Sequence, residues 1–329
     1  MKRLLITRTL PEPVLQAACD AFEVALWPHD EPIGAQLLPW AKGCDGLLVM
    51  ATDRLDAGTL QQLPPSVRAI STYSVGHDHI DLNAATQCGI PIFNTPDVLS
   101  DAVAETALLL ILSAARDASA AEATLRSGHW GPWSPTRFLG QQLTGKRLGI
   151  YGMGRIGLGI AQRALAFGML VEYHNRSVHP AASGFAYHAT LESLMAHSDV
   201  FCVCAPSTPQ TRGAINAERL ALLPRGAVFV NIARGDLVDE DALIDAITTG
   251  HIGGTGLDVY RNEPTIDPRF LQLPRTTLLP HIGSATHEAR NGMGRLAVDA
   301  LKIFLLDGAH PPHCLNPDAL APRVVESTP

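Results

Sequence analysis

The sequence predicts an α/β fold of two doubly wound, parallel-sheet domains, and three observations carry that expectation. Short apolar runs alternate with helix-length amphipathic segments in two separate series along the chain, which is the pattern of βαβ units. At 329 residues the chain exceeds one typical domain and is long enough to bury two cores. Hydrophobic residues make up 46% and charged residues 17%, the balance of an ordinary globular protein with little disorder.

The first series runs in order through strand RLLIT (3–7), helix PEPVLQAACDAF (11–22), strand VALWP (24–28), helix EPIGAQLLPWAKG (31–43) and strand GLLVM (46–50). It continues through helix LDAGTLQQL (55–63), strand VRAISTY (67–73), helix IDLNAATQCG (80–89) and strand IPIFNT (90–95). One long helix is expected from about Ser100 to about Ser127, ahead of a turn-rich stretch rich in Gly and Pro that reads as a domain crossing. The second series begins at Lys146 and includes VEYHN, DVFCVCAP, GAVFVNIA, GTGLDVY and TTLLPHIG. From about Ser284 the chain holds helix formers as far as Gly308 and no further strand, so it is expected to return and pack on the first domain.

Where the strand of LGIYGMGRIGLG ends and its helix begins stand Gly152, Gly154 and Gly157. The first glycine permits a tight turn, the second lets the backbone approach a pyrophosphate, and the third lets helix and strand pack closely. The positive end of the following helix then holds the phosphates. The expected division is therefore a dinucleotide-binding domain over 100–284 and a substrate-binding, catalytic domain over 1–99 and 285–329. NAD sites carry an acidic residue about 20 positions further on for the ribose 2′-hydroxyl. Here the second strand ends instead in Asn175, Arg176 and Ser177, and Glu172 lies earlier, inside the strand, facing elsewhere. A guanidinium flanked by small polar donors suits a 2′-phosphate, so NADPH is the expected cofactor and NADH a weaker one. Arg155, inside the glycine loop, is a second candidate for phosphate contact.

A net charge of −7 argues against nucleic acid or an anionic membrane as the main partner, so any basic site must be local. The most apolar stretch, Ala107 to Ala115, is far shorter than the ~20 residues that span a bilayer. The apolar stretch before Pro11 is too short for a signal peptide, and six cysteines lack disulfide-scaffold or zinc spacing, which together point to the cytoplasm. Cys202 and Cys204 share one face of a strand and read as core packing.

Ligands of open parallel sheets bind beyond the carboxyl ends of the strands. Three chemically capable residues stand there: Arg234 after VFVNIA, Glu263 shortly after GLDVY, and His281 after TTLLP. Histidine gives and takes a proton near neutral pH, a partner carboxylate favours its charged form, and arginine grips a carboxylate with two parallel hydrogen bonds. Beside a nicotinamide, these groups are what reversible reduction of a 2-oxo acid needs.

At this point the residues resemble a family. The segments GMGRIG, VNIARGDLVDEDAL, GLDVYRNEP and LLPHIGSAT, in that order, together with STYSVGHDHIDLNAATQCGIPIFNTP, resemble the D-isomer-specific 2-hydroxyacid dehydrogenases over about residues 71–290. The resemblance implies two Rossmann-like domains with an interdomain cleft, catalytic Arg234, Glu263 and His281, and substrate carboxylate binding by the amides of Val75 and Gly76 with Arg234. It places cofactor contacts on Arg155, Ile156, Cys204, Ala205, Pro206, Thr211, Ile232, Asp258 and Gly283, with Asp258 facing the nicotinamide carboxamide. The strand end at Asn175, Arg176 and Ser177 is similar to that of the NADPH-preferring glyoxylate and hydroxypyruvate reductases. The resemblance further implies a homodimer packed through the long helix and the segment around Trp130, Trp133 and Phe138, and substrate side-chain selectivity is expected from first-domain loops near Met50 to Asp53 and from interface aromatics.

Two other readings stay open: an NAD-dependent dehydrogenase of another D-2-hydroxy acid such as 3-phosphoglycerate, and a dinucleotide-sensing, corepressor-like protein. His77, Asp78, His79 and Asp81 are metal-type side chains in one loop, but Asp81 is placed to cap the next helix. The loop reads as substrate-positioning backbone, and no metal is expected.

Overall fold

The computed structural model describes residues 1–320, which divide into two compact units. One comprises Met1–Leu99 with the chain from Thr286 onward, the other Ser100–Ala285.

The first unit is built on five parallel strands: β1 (Arg3–Ile6), β2 (Glu23–Leu26), β3 (Gly46–Val49), β4 (Ala69–Thr72) and β5 (Ile92–Phe93). They lie in the order β2-β1-β3-β4-β5. Residues of β3 and β4 are buried throughout, as strands covered on both faces must be, and this is why they read as unbroken apolar runs. The helix expected over 31–43 is reduced to a 3-10 turn, Gly34–Gln36, and a four-residue helix, Leu37–Trp40. Pro39 has no N–H to extend the turn, and Gly43 at φ 73° ends the segment. The helix His287–Leu305 starts at Thr286, whose hydroxyl accepts from Ala289 N at 3.1 Å, and packs on β3, β4, β5 and the helix Glu12–Ala21.

The second unit carries seven parallel strands: β6 (Arg147–Tyr151), β7 (Leu170–His174), β8 (Ala186–His188), β9 (Val200–Val203), β10 (Ala227–Asn231), β11 (Ile252–Leu257) and β12 (Thr276–Leu278). Their order is β12-β11-β10-β9-β6-β7-β8. The chain therefore runs one way from β6 to β8 and the other way from β9 to β12. The order reverses between β6 and β9, where loops leave in opposite directions and a crevice opens at the strand ends. The helices Ser100–Arg116 and Arg155–Ala166 pack against each other, with the first on β10, β11 and β12 and the second on β6 and β7. On the other face Phe201, Phe229, Leu194, Leu243 and Phe270 form the core under the helices Leu191–His197 and Glu240–Thr248.

The long helix expected over 100–127 is two helices, Ser100–Arg116 and Ala118–Arg126. Asp117 between them adopts φ 50°, the left-handed region that aspartate tolerates better than most residues, and this turns the chain. Among the described residues no helix is long and apolar enough to cross a membrane.

Candidate active site

The glycine loop leaves β6 at the reversal point. Gly152 has φ 106°, and a Cβ there would lie 2.5 Å from Ala205 N. A Cβ on Gly157 would lie 2.5 Å from the carbonyl oxygen of Gly152, so the helix closes onto the turn only because the residue lacks one. A Cβ on Gly154 would meet nothing within 4 Å, so that backbone faces open space. The helix Arg155–Ala166 begins there without a side-chain cap, and its first turn includes Arg155, Ile156 and Gly157. An uncapped helix start beside open space is a geometry that accepts an anion.

Asn175 grips this loop from the end of β7. Its Oδ1 accepts from Met153 N at 2.7 Å and its Nδ2 donates to Met153 O at 3.1 Å. Its side chain is thus a brace for the turn, while Arg176 and Ser177 beside it are exposed. Glu172 faces away, its carboxylate 2.7 Å from His188 Nε2 and 3.6 Å from Arg147 Nε.

Cys204, Ala205 and Pro206 follow β9, next to the turn at Gly152. Cys202 is fully buried in β9, and burial pushes its thiol well above the usual range. Cys204 lies just past the strand rather than within it. Thr211 folds the loop back, its hydroxyl donating to Pro206 O at 2.6 Å and accepting from Thr208 N at 2.8 Å. Ile232 is buried directly after β10.

Arg234, Glu263 and His281 follow β10, β11 and β12, three neighbouring strands of one sheet. Glu263 Oε2 lies 2.7 Å from His281 Nδ1, and Oε1 accepts from Tyr260 N at 2.8 Å. Both carboxylate oxygens are therefore engaged, and Nε2 is the imidazole atom left for a reactant. The His281 side chain is 44% exposed and that of Glu263 31%, so the pair is open on one side. Burial tends to raise the Glu263 carboxyl, but the hydrogen bond and charge of His281, the Tyr260 N–H and the Arg234 guanidinium together hold it below its ordinary value. Arg234 is held through its backbone, Asn231 Nδ2 donating to its carbonyl at 2.9 Å. Tyr260 adds a tie no sequence pattern announced: its hydroxyl donates to Leu257 O at 3.2 Å and Leu279 O at 3.1 Å, joining the ends of β11 and β12.

In the first unit, Thr95 N donates to Ser74 O at 3.0 Å and Asn94 Nδ2 donates to Val75 O at 3.0 Å. In a trans peptide the next N–H points opposite its carbonyl. The amides of Val75 and Gly76 are thereby both turned away from Asn94 and Thr95. Sequence reasoning missed these two residues, although polar side chains directly after a strand were the available signal. A second missed device is Asp53, buried at 2% exposure, which accepts from Met50 N at 2.9 Å and from the Thr7 hydroxyl and faces Arg8 at 3.4 Å. It fixes the turn Met50–Asp53. Of the metal-type side chains in the 77–81 loop, His79 Nε2 lies 2.9 Å from Thr72 Oγ1 and Asp81 caps the helix Leu82–Gln87 through Ala84 N at 3.0 Å. No group able to hold a metal ion occurs among the described residues.

Comparisons with known proteins agree on one kinship. The profile described as "D-isomer specific 2-hydroxyacid dehydrogenase, NAD binding domain" matches residues 108–283. The chain is 40% identical over 328 residues to a glyoxylate reductase of Thermococcus kodakarensis, covering 98% of each. It is 39% identical over 305 residues to a glycerate dehydrogenase of Hyphomicrobium methylovorum, covering 91% of this chain and 95% of that one. Among solved structures, the NADPH-dependent glyoxylate/hydroxypyruvate reductase of Sinorhizobium meliloti in complex with NADP and malonate superposes with a TM-score of 0.87 at 35% identity, covering 98% of this chain and 99% of that one.

Proposed function

Because the chain belongs to the D-isomer-specific 2-hydroxyacid dehydrogenase family, we propose that it is an NADPH-dependent reductase of glyoxylate and hydroxypyruvate, working through a histidine–glutamate acid pair. It is an oxidoreductase that reduces a small 2-oxo acid with a nicotinamide dinucleotide. The observation that carries the acid pair is the 2.7 Å pairing of Glu263 with His281, which follow the adjacent strands β11 and β12 beside β10, the strand that precedes Arg234.

The residues present fit the cofactor: an uncapped helix start faces open space at Gly154, and an exposed arginine follows the neighbouring strand. Bound there, the dinucleotide supplies the hydride that reduces the carbonyl carbon. The first-turn amides of Arg155, Ile156 and Gly157 hold the pyrophosphate, and Arg176 with Ser177 holds the 2′-phosphate by charge-assisted hydrogen bonds. Cys204 to Pro206, Thr211, Ile232, Asp258 and Gly283 complete the cofactor's surroundings. Arg234 binds the substrate carboxylate and sets its carbonyl in register. His281 Nε2 gives its proton to the developing alkoxide, while Glu263 on Nδ1 orients the ring. The reading includes a cytoplasmic location, supported by six cysteines that are all free thiols.

The test is steady-state kinetics with glyoxylate and hydroxypyruvate, comparing NADPH with NADH in the wild type and in Arg176→Ala. The substitution is expected to lower kcat/KM about tenfold or more with NADPH, a charge-assisted pair being worth ~1.5–3 kcal/mol, and to leave NADH nearly unchanged. Equal losses with the two cofactors would remove the phosphate role, and no turnover of any small 2-oxo acid would remove the reading.

A further inference from the structure

The carboxylate of Asp258, one residue past β11, is 1% exposed, and both of its oxygens are engaged by backbone. Oδ1 accepts from Ile282 N at 2.7 Å and Oδ2 from Gly283 N at 2.8 Å. These are the two peptides that directly follow His281. His281 itself adopts φ 54°, the left-handed region, which a residue with a Cβ holds only where its surroundings impose it. Asp258 is anchored in turn, its own N–H donating to Asn231 O at 3.0 Å on β10. A buried carboxylate is tolerated only when its oxygens are satisfied, so the clamp cannot be loosened without exposing an unpaired group. Gly283 makes it possible: a Cβ there would lie 3.1 Å from Asp258 Oδ2 and 3.4 Å from Val103 Cγ2.

We propose that Asp258 is a positioning residue that fixes the His281 imidazole on Glu263 by gripping the two peptides after it. This goes beyond a contact with the nicotinamide carboxamide, and it rests on the reading of His281 as the proton donor. The clamp sets where the ring stands before any cofactor arrives. Glu263 then sets which way the ring faces, and the two carboxylates act on opposite ends of one residue.

Asp258→Asn tests this with little change in shape. One oxygen becomes an NH2 group, which faces a backbone N–H less than 3 Å away and cannot accept from it. The expected result is a fall in kcat of about 100-fold, the scale of an ångström-sized misplacement, with the affinity for NADPH little changed. The loss should be the same with the 3-acetylpyridine analogue of NADPH, which has no carboxamide NH2. A loss that disappears with the analogue would mean that Asp258 acts on the cofactor, and would overturn the proposal.

Nitrogen-15 spectra of the cofactor-free protein give a second readout. In the wild type the His281 Nδ1 proton is expected to be protected by its bond to Glu263, and in Asp258→Asn that protection should be lost. An unchanged His281 signal in the variant would refute the clamp whatever the kinetics show. If Asp258→Asn does not fold, Gly283→Ala, which crowds the same oxygen, is expected to give a smaller loss of the same kind; full activity with an unchanged signal would count against the proposal. The failure of the functional reading is separately visible as an inactive wild type, because the spectra need no substrate.

Discussion

At the scale of single residues, the site depends on how two carboxylates are satisfied. Glu263 has a native pKa below its ordinary value, because the gains from His281, Tyr260 N–H and Arg234 outweigh the burial that would raise it. A depressed carboxyl contributes stability that is fully present above its unfolded pKa of about 4.3 and is lost as pH falls through the lower native value. Glu263→Gln should therefore reduce the free energy of unfolding at pH 7, and the difference from wild type should shrink on acidification through that window. Urea titrations at several pH values measure this, and a pH-independent difference would show that the pairing is not what stabilises the loop. In the same experiment series, His281→Ala is expected to lower kcat by about 10²–10⁴-fold, the usual worth of proton transfer, with cofactor affinity nearly intact. The placement of Arg234, Glu263 and His281 after three neighbouring strands was legible in sequence because each stands past an apolar run. Asp258 stood in the same kind of place, but its grip on Ile282 and Gly283 was invisible, because it joins a side chain past one strand to backbone N–H groups past another, more than twenty residues away.

At the scale of elements, the strands were the most legible part. Both sheets are entirely parallel, so their inner strands are covered on two faces and announce themselves as short apolar runs. Helix boundaries were less so. The break at Asp117 depends on one left-handed residue within a stretch of helix formers, and the collapse of the 31–43 segment depends on Pro39. Local periodicity weighs such single residues too lightly. The glycine turn is the element we propose to hold the cofactor, and Asn175 is its brace. Removing that brace should act on the turn rather than on the 2′-phosphate. Asn175→Ala is accordingly expected to weaken NADPH and NADH alike, because it frees Met153 N and O, whereas Arg176→Ala discriminates between the two. Fluorescence titration of both cofactors against both variants separates the roles, and a selective NADPH defect in Asn175→Ala would reassign Asn175 to the phosphate.

For the molecule as a whole, the sequence made two units legible from chain length and from the break between two alternating series, since each unit buries its own sheet. What the structure adds is the exposure of the segment that the resemblance assigns to a dimer. Residues 125–139 expose Leu125 at 59%, Trp130 at 63%, Trp133 at 81%, Phe138 at 40% and Leu139 at 70%. Isolated exposed apolar residues are ordinary on a protein surface, whereas five in one short segment fit the dimer surface that the family resemblance implies. A second copy of this chain is the occupant we expect, which gives a homodimer of about twice 35.1 kDa. Sedimentation should report that mass at micromolar concentration. Replacing Trp130 and Trp133 together by serine should shift it toward the monomer, because truncating buried aromatic anchors removes the largest contributions to an interface. Tryptophan emission offers an independent check, since burial on association moves it to shorter wavelength and dilution should reverse the change. A wild type that sediments as a monomer at every concentration would leave the exposed tryptophans without that partner.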